Sequence, residues 1–109
     1  MKLQDIQAVY FIGAGGIGMS ALVRYFHHKG LVVAGYDKTP TDLTRRLEKE
    51  GIQLHYEDNI NLIPDVCKNP STTLVVYTPA IPNTHSELIY FRENHFEIEK
   101  RAQVLGRLT

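Results

Sequence analysis

The chain holds a single cysteine, Cys67, so no disulfide can form within it. That usage suits a reducing compartment. No motif surrounds Cys67, which reads as an unreactive thiol rather than a nucleophile. No excess of one charge sign is present: twelve Lys and Arg balance twelve Asp and Glu. A neutral balance gives no support for general nucleic-acid or membrane-surface binding. No apolar run approaches the roughly 20 residues of a membrane span, and no signal peptide is recognised. Internal repeats and low-complexity tracts are also missing. His27 and His28 are adjacent and point about 100° apart on a helix, with no further ligands to make a metal site. At 109 residues the chain is long enough for one domain and too short for two.

What the chain does have is glycine in one place. Val9-Tyr10-Phe11-Ile12 reads as a strand buried on both faces. Four glycines follow in six positions, Gly13, Gly15, Gly16 and Gly18. Beyond them Ile17, Ala21, Leu22 and Tyr25 recur at helical spacing. The reading is strand, glycine turn, helix, with Gly13, Gly15 and Gly18 filling G-x-G-x-x-G. Glycine permits the tight turn, the close approach of an anion and helix–strand packing. The helix N-terminus then offers unpaired N–H groups to a phosphate.

The remaining chain alternates. Strands are expected at Ala8–Ile12, Leu31–Tyr36, Ile52–His55, Thr72–Thr78 and Phe96–Glu99. Helices are expected at Ile17–Lys29 and Pro40–Glu50, then from a cap at Asn83 or Thr84 to about Asn94, and at Arg101–Leu108. Thr39-Pro40-Thr41-Asp42 reads as a helix start with proline at the first helical position. Leu88 and Phe91 are expected to face inward, and Ala102, Leu105 and Leu108 recur at spacing three in the closing helix. This pattern gives an α/β fold, a doubly wound parallel five-stranded sheet of expected order 3-2-1-4-5. The glycine turn, Asp37-Lys38 and Thr78–Asn83 then converge at one sheet edge, beside the switch between strands one and four. Asp37 lies nineteen positions after Gly18, near the spacing of the acidic residue that takes a ribose in dinucleotide folds.

The loop is more particular than G-x-G-x-x-G. Gly13-Ala14-Gly15-Gly16-Ile17-Gly18-Met19-Ser20 closely resembles the opening loop of the UDP-N-acetylmuramate–L-alanine ligases, within the Mur ligase family. Val33-Ala34-Gly35-Tyr36-Asp37 is similar to that family's second strand. Thr44–Ile52 is similar to its T-x-x-L-x-x-x-G helix end. Val75–Ile81 with Asn83 and Glu87 resembles its V-V-x-S-x-A-I-x-x-x-N-x-E region, and Arg101-Ala102-Gln103-Val104-Leu105 its R-A-x-x-L helix. Tyr77-Thr78-Pro79 departs from the pair of serines the family often carries, and is closer to the Ser-Pro of the ligase that adds D-glutamate.

The resemblance implies a cytoplasmic, three-domain, ATP-dependent ligase of peptidoglycan synthesis, with residues 1–109 as its UDP-N-acetylmuramate-binding N-terminal domain. The central domain would bind ATP and Mg²⁺ through a G-x-x-G-K-[ST]-type loop. No Gly-Lys dipeptide occurs here, so that loop and the catalytic groups are expected elsewhere, and the 109 residues alone are expected to be inactive. The implied partners are UDP-N-acetylmuramate and the central and C-terminal domains, with no metal site in this part. Gly13 and Gly15 would shape the loop. Gly15, Gly16, Ile17, Gly18 and Met19 would give backbone N–H groups to the diphosphate, and Ser20 a hydroxyl. Asp37 would accept from the uracil N–H, and Lys38 would line the uridine pocket. Thr78, Pro79, Ala80 and Ile81 would form the opposite wall, with Asn83 beside them. Arg101 would either start a helix or face the sugar phosphates. The alternative function is a nicotinamide-dinucleotide-binding redox or regulatory domain, which Asp37 and the G-x-G-x-x-G core both permit. The doubled glycine and the following Met-Ser favour the ligase.

Overall fold

Strand β1 (Ala8–Ile12) lies in the middle of the sheet with all five residues buried. Successive side chains leave a strand on opposite faces. Val9 and Phe11 enter one core with Met19, Leu22, Phe26 and Leu47. Ala8, Tyr10 and Ile12 enter a second core with Leu88, Phe91 and Phe96. A continuous apolar run is what a parallel strand covered on both sides requires. The computed structural model describes residues 1–108. Strands β2 (Val32–Tyr36) and β4 (Thr73–Tyr77) flank β1, with β3 (Gln53–His55) and β5 (Glu97–Lys100) at the edges. Every pairing is parallel and the order is β3-β2-β1-β4-β5, as the alternating pattern predicts.

Helices α1 (Ile17–His28), α2 (Asp42–Lys49) and α4 (Arg101–Leu108) send side chains into the first core. Helix α3 (Ser86–Glu93) and the 3-10 turns Ile60–Leu62 and Asp65–Lys68 flank the second. Three expected helix details are corrected. The face of α1 is Met19, Leu22, Val23 and Phe26, while Ile17, Ala21 and Tyr25 are exposed. In α4 the buried residue is Val104; Leu108 is half-buried, and Ala102 and Leu105 are exposed. Helix α2 starts at Asp42, two residues later than Pro40 implies. Thr41 is its N-cap and forms a reciprocal capping box with Thr44, which satisfies two backbone donors at once.

The start of α3 is the fourth correction. Neither Asn83 nor Thr84 caps it. His85 occupies the N-cap position with no side-chain cap bond. The Asp58 carboxylate accepts from the N–H groups of Ser86 at 2.8 Å and Glu87 at 3.1 Å. A cap delivered from a segment 28 residues away leaves no local signature.

Candidate functional site

The C-terminal ends of β1, β2 and β4 meet beside the start of α1, at the point where the strand order reverses. Such switch points form crevices in open α/β sheets. Here the crevice has a volume of about 440 Å³. Gly13, Gly16, Gly18 and Met19 form its floor, Asp37 and Lys38 one side, and Thr78, Pro79, Ala80 and Ile81 the other. Arg101, the first residue of α4, completes the lining.

The loop glycines are not equivalent. Gly13 has φ +100°, and a Cβ on it would stand 2.4 Å from Thr78 Cγ2. The turn and the opposite wall both require glycine there. A Cβ on Gly15 would stand 2.5 Å from Asp37 Oδ2, which accepts the Gly15 N–H at 2.6 Å. Gly16 differs. Its φ of −66° and ψ of 145° suit any residue, and a Cβ would find only Met19 Cβ at 3.8 Å and the Gly13 carbonyl oxygen at 4.0 Å. Nothing in the chain's own packing demands glycine at 16, yet it borders the crevice.

The electrostatics favour an anion. The first helical hydrogen bond of α1 runs from Ser20 N–H to the Gly16 carbonyl. The N–H groups of Ile17, Gly18 and Met19 therefore have no partner within the helix, and the dipole places partial positive charge there. Lys38 and Arg101 line the same crevice, and among the described residues neither side chain has a hydrogen bond or ion pair. The lining carboxylate, Asp37, already accepts from Gly15 N–H and from Thr39 N–H at 3.2 Å. The crevice thus joins a positive helix end to mixed polar and apolar walls, and its lining includes no Ser, Cys or His. Among the described residues no group of three or more His, Cys, Asp or Glu side chains could hold a metal ion.

Ten of the sequence-derived site residues thus line one crevice. Four do not. The Gly15 N–H is taken by Asp37. Ile17 is 88% exposed and is not part of the crevice lining. The Ser20 hydroxyl is buried and donates back to the Ile17 carbonyl at 2.8 Å, the usual recourse of a buried helical serine. Asn83 points away and accepts from Arg92 Nη1 at 3.4 Å.

Behind the wall lies a polar network that the sequence did not reveal. The fully buried Glu87 carboxylate accepts from Tyr10 Oη–H and from Asn59 N–H at 3.1 Å, and its Oε2 lies 2.7 Å from His55 Nε2. Burial, with the Glu87 carboxylate beside it, pushes the Tyr10 phenol far above the ordinary tyrosine range. The network ties the start of α3, and with it the Thr78–Pro82 segment, to the middle of the sheet. Its members come from four separate segments, so no spacing marks them.

Residues 8–109 match the sequence profile described as "Mur ligase family, catalytic domain". UDP-N-acetylmuramate–L-alanine ligase of Phocaeicola vulgatus is 62% identical over 109 residues, all of this chain and 24% of the relative. The same-named ligase of Flavobacterium johnsoniae is 57% identical over 109 residues, again the whole chain and 24% of the relative. The chain therefore spans about a quarter of the length of the curated relatives it matches. Among solved structures, UDP-N-acetylmuramate-alanine ligase of Thermotoga maritima superposes with a TM-score of 0.79 at 30% identity, covering 90% of this chain and 21% of that one. Sequence along nearly the whole chain and the order of its five strands agree: the chain belongs to the Mur ligase family.

Proposed function

We propose that these residues form the UDP-N-acetylmuramate-binding domain of a cytoplasmic, ATP-dependent ligase that joins L-alanine to that sugar nucleotide. The observation that carries the reading is Gly16: a glycine that no backbone angle or neighbour requires, beside a helix start whose first N–H groups lack a partner within the helix and two cations unpaired among the described residues. A diphosphate resting on the α1 N-terminus accounts for all three. The names of the relatives, at up to 62% identity, support the choice of sugar nucleotide.

In this reading the backbone of Gly16–Met19 holds the diphosphate, Lys38 and Asp37 flank the uridine, and Thr78–Ile81 close over its other side. The chain's task is to hold and orient the substrate. ATP and Mg²⁺ do not fit the residues present, which offer neither a Gly-Lys phosphate loop nor a metal-ligand cluster among those described. They belong with the central and C-terminal domains that would be this domain's partners. The nicotinamide alternative is not favoured, since the relatives are ligases.

Calorimetric titration with UDP-N-acetylmuramate, NADH and NADPH tests the reading. Binding of the sugar nucleotide alone is expected. Binding of a nicotinamide nucleotide alone would overturn it.

A further inference from the structure

His85 is a buried polar side chain that neither the crevice nor the Glu87 network uses. Its side chain is 5% exposed, and neither ring nitrogen has a hydrogen-bond partner among the described residues. A buried imidazole in that state is destabilising, because its polar atoms have left water for nothing. The fixed charges around it are negative. From the segment between β3 and α3, Asp58 brings Oδ1 to 3.3 Å from His85 Nδ1. From α3 itself, Glu87 already faces Tyr10, His55 and the Asn59 N–H. From β2, the Tyr36 ring packs edge-on with centroids 4.6 Å apart. His55, on β3, packs against the same Tyr36 ring at 6.0 Å and faces Glu87. Burial, then the Asp58, Glu87 and Asp37 carboxylates, push the Tyr36 phenol up from its ordinary range.

His85 also touches the supports of both crevice walls. It backs Tyr36, and the next residue is Asp37. Its backbone N–H donates to the Pro82 carbonyl at 3.0 Å, closing the turn that follows Thr78–Ile81. Asp58 completes the frame by accepting from Ser86 and Glu87 N–H.

We propose that His85 is a positioning residue that takes up a proton from solvent as the sugar nucleotide binds, its imidazolium pairing with Asp58 and holding the two crevice walls together. This role rests on the sugar-nucleotide reading above and deepens it. Histidine is the side chain whose charge ordinarily changes between pH 5 and 8. An anion in the crevice favours the charged ring through space, and the charged ring favours the anion by the same amount. Binding and protonation therefore reinforce each other.

The test is calorimetric titration of the wild-type chain, His85→Gln and Asp58→Asn with UDP-N-acetylmuramate at about pH 6 and about pH 8. Two buffers of different ionisation heat count the protons taken up. Both phosphates of this ligand are esterified, so its own charge stays constant across the window. Wild type is expected to bind about fivefold tighter at the lower pH and to take up protons on binding. Both variants should lose most of that ratio and of the uptake. In wild type the His85 ring nitrogen resonances should move toward the imidazolium pattern when the ligand is added, a reading that needs no variant. Thermal unfolding without ligand reads the ion pair alone: wild type should gain on His85→Gln as pH falls. A pH ratio and proton uptake in His85→Gln equal to wild type, or ring resonances that do not move on binding, would overturn the positioning role and leave the sugar-nucleotide reading standing. An equal pH dependence of unfolding in the two chains would overturn the ion pair. A wild-type chain that shows the stability difference but binds no sugar nucleotide would overturn that reading and uphold the ion pair.

Discussion

Replacing Gly16 by valine separates the requirements of the fold from those of the ligand. Gly16 is the N-cap of α1 at φ −66° and ψ 145°, where valine incurs no backbone strain. The added Cβ would come no closer than 3.8 Å to Met19 Cβ. Valine is a poorer N-cap than glycine, which costs about 0.5–1 kcal/mol. Removing a glycine from the unfolded chain offsets that by about 0.4–1 kcal/mol. Folding stability should therefore change by less than about 1 kcal/mol. Binding should weaken sharply. The valine methyls would stand over the N–H groups of Ile17–Met19 and displace the phosphate. Losing two charge-assisted hydrogen bonds at about 1.5 kcal/mol each removes about 3 kcal/mol, or roughly 100-fold in affinity for UDP. Calorimetry for UDP and thermal unfolding read the two effects separately. Gly13→Val is the contrasting variant, because its φ of +100° and the 2.4 Å approach to Thr78 should lower the melting temperature as well. A Gly16→Val protein that melts like wild type and binds UDP as tightly would refute the glycine-loop reasoning.

Three further outcomes follow from the same geometry. Asp37→Asn keeps one acceptor and turns an amide NH₂ toward the other backbone donor, so it should cost about 1–2 kcal/mol in urea unfolding and weaken UDP binding; an unaltered urea midpoint would contradict the loop-anchoring role. Glu87→Ala strands Tyr10, His55 and Asn59 without their acceptor and should destabilise by about 3 kcal/mol, read as a large drop in urea midpoint. Burial pushes the Cys67 thiol up to about 11 from its ordinary 9.0. The unfolded thiol ionises first, so this contribution to stability is whole below pH 9 and is lost as pH climbs toward 11. Stability measured across that window should fall less steeply in Cys67→Ala. Iodoacetamide at pH 8 should label Cys67 only under denaturing conditions.

The sheet was legible because its strongest signal is local. Four consecutive apolar residues followed by a glycine cluster leave little choice but a buried central strand and a tight turn, and Ala8–Ile12 is that strand. Ten crevice-lining residues were reachable for the same reason: the parallel plan puts every strand end on one edge. Helix faces were less legible. Ile17 and Tyr25 fit the periodicity as well as Met19 and Phe26 do, and only docking on the sheet chooses between them. Ser20 looked like a ligand hydroxyl, but burial made it seek the nearest carbonyl. The α3 cap from Asp58 and the Glu87 network join residues far apart in the chain, where no short pattern can register. Arg101 fits two roles in the sequence, and the structure shows it both starting α4 and setting its guanidinium against Gly18.

The most direct test of the account is a backbone amide NMR titration of the chain with UDP-N-acetylmuramate. The largest shifts should fall on Gly16, Ile17, Gly18 and Met19, with a second group at Lys38 and Ala80–Ile81 and little change at α3 beyond Leu88. Shifts clustered away from the glycine loop, or none at a saturating concentration, would contradict the claim that this loop is a diphosphate cradle.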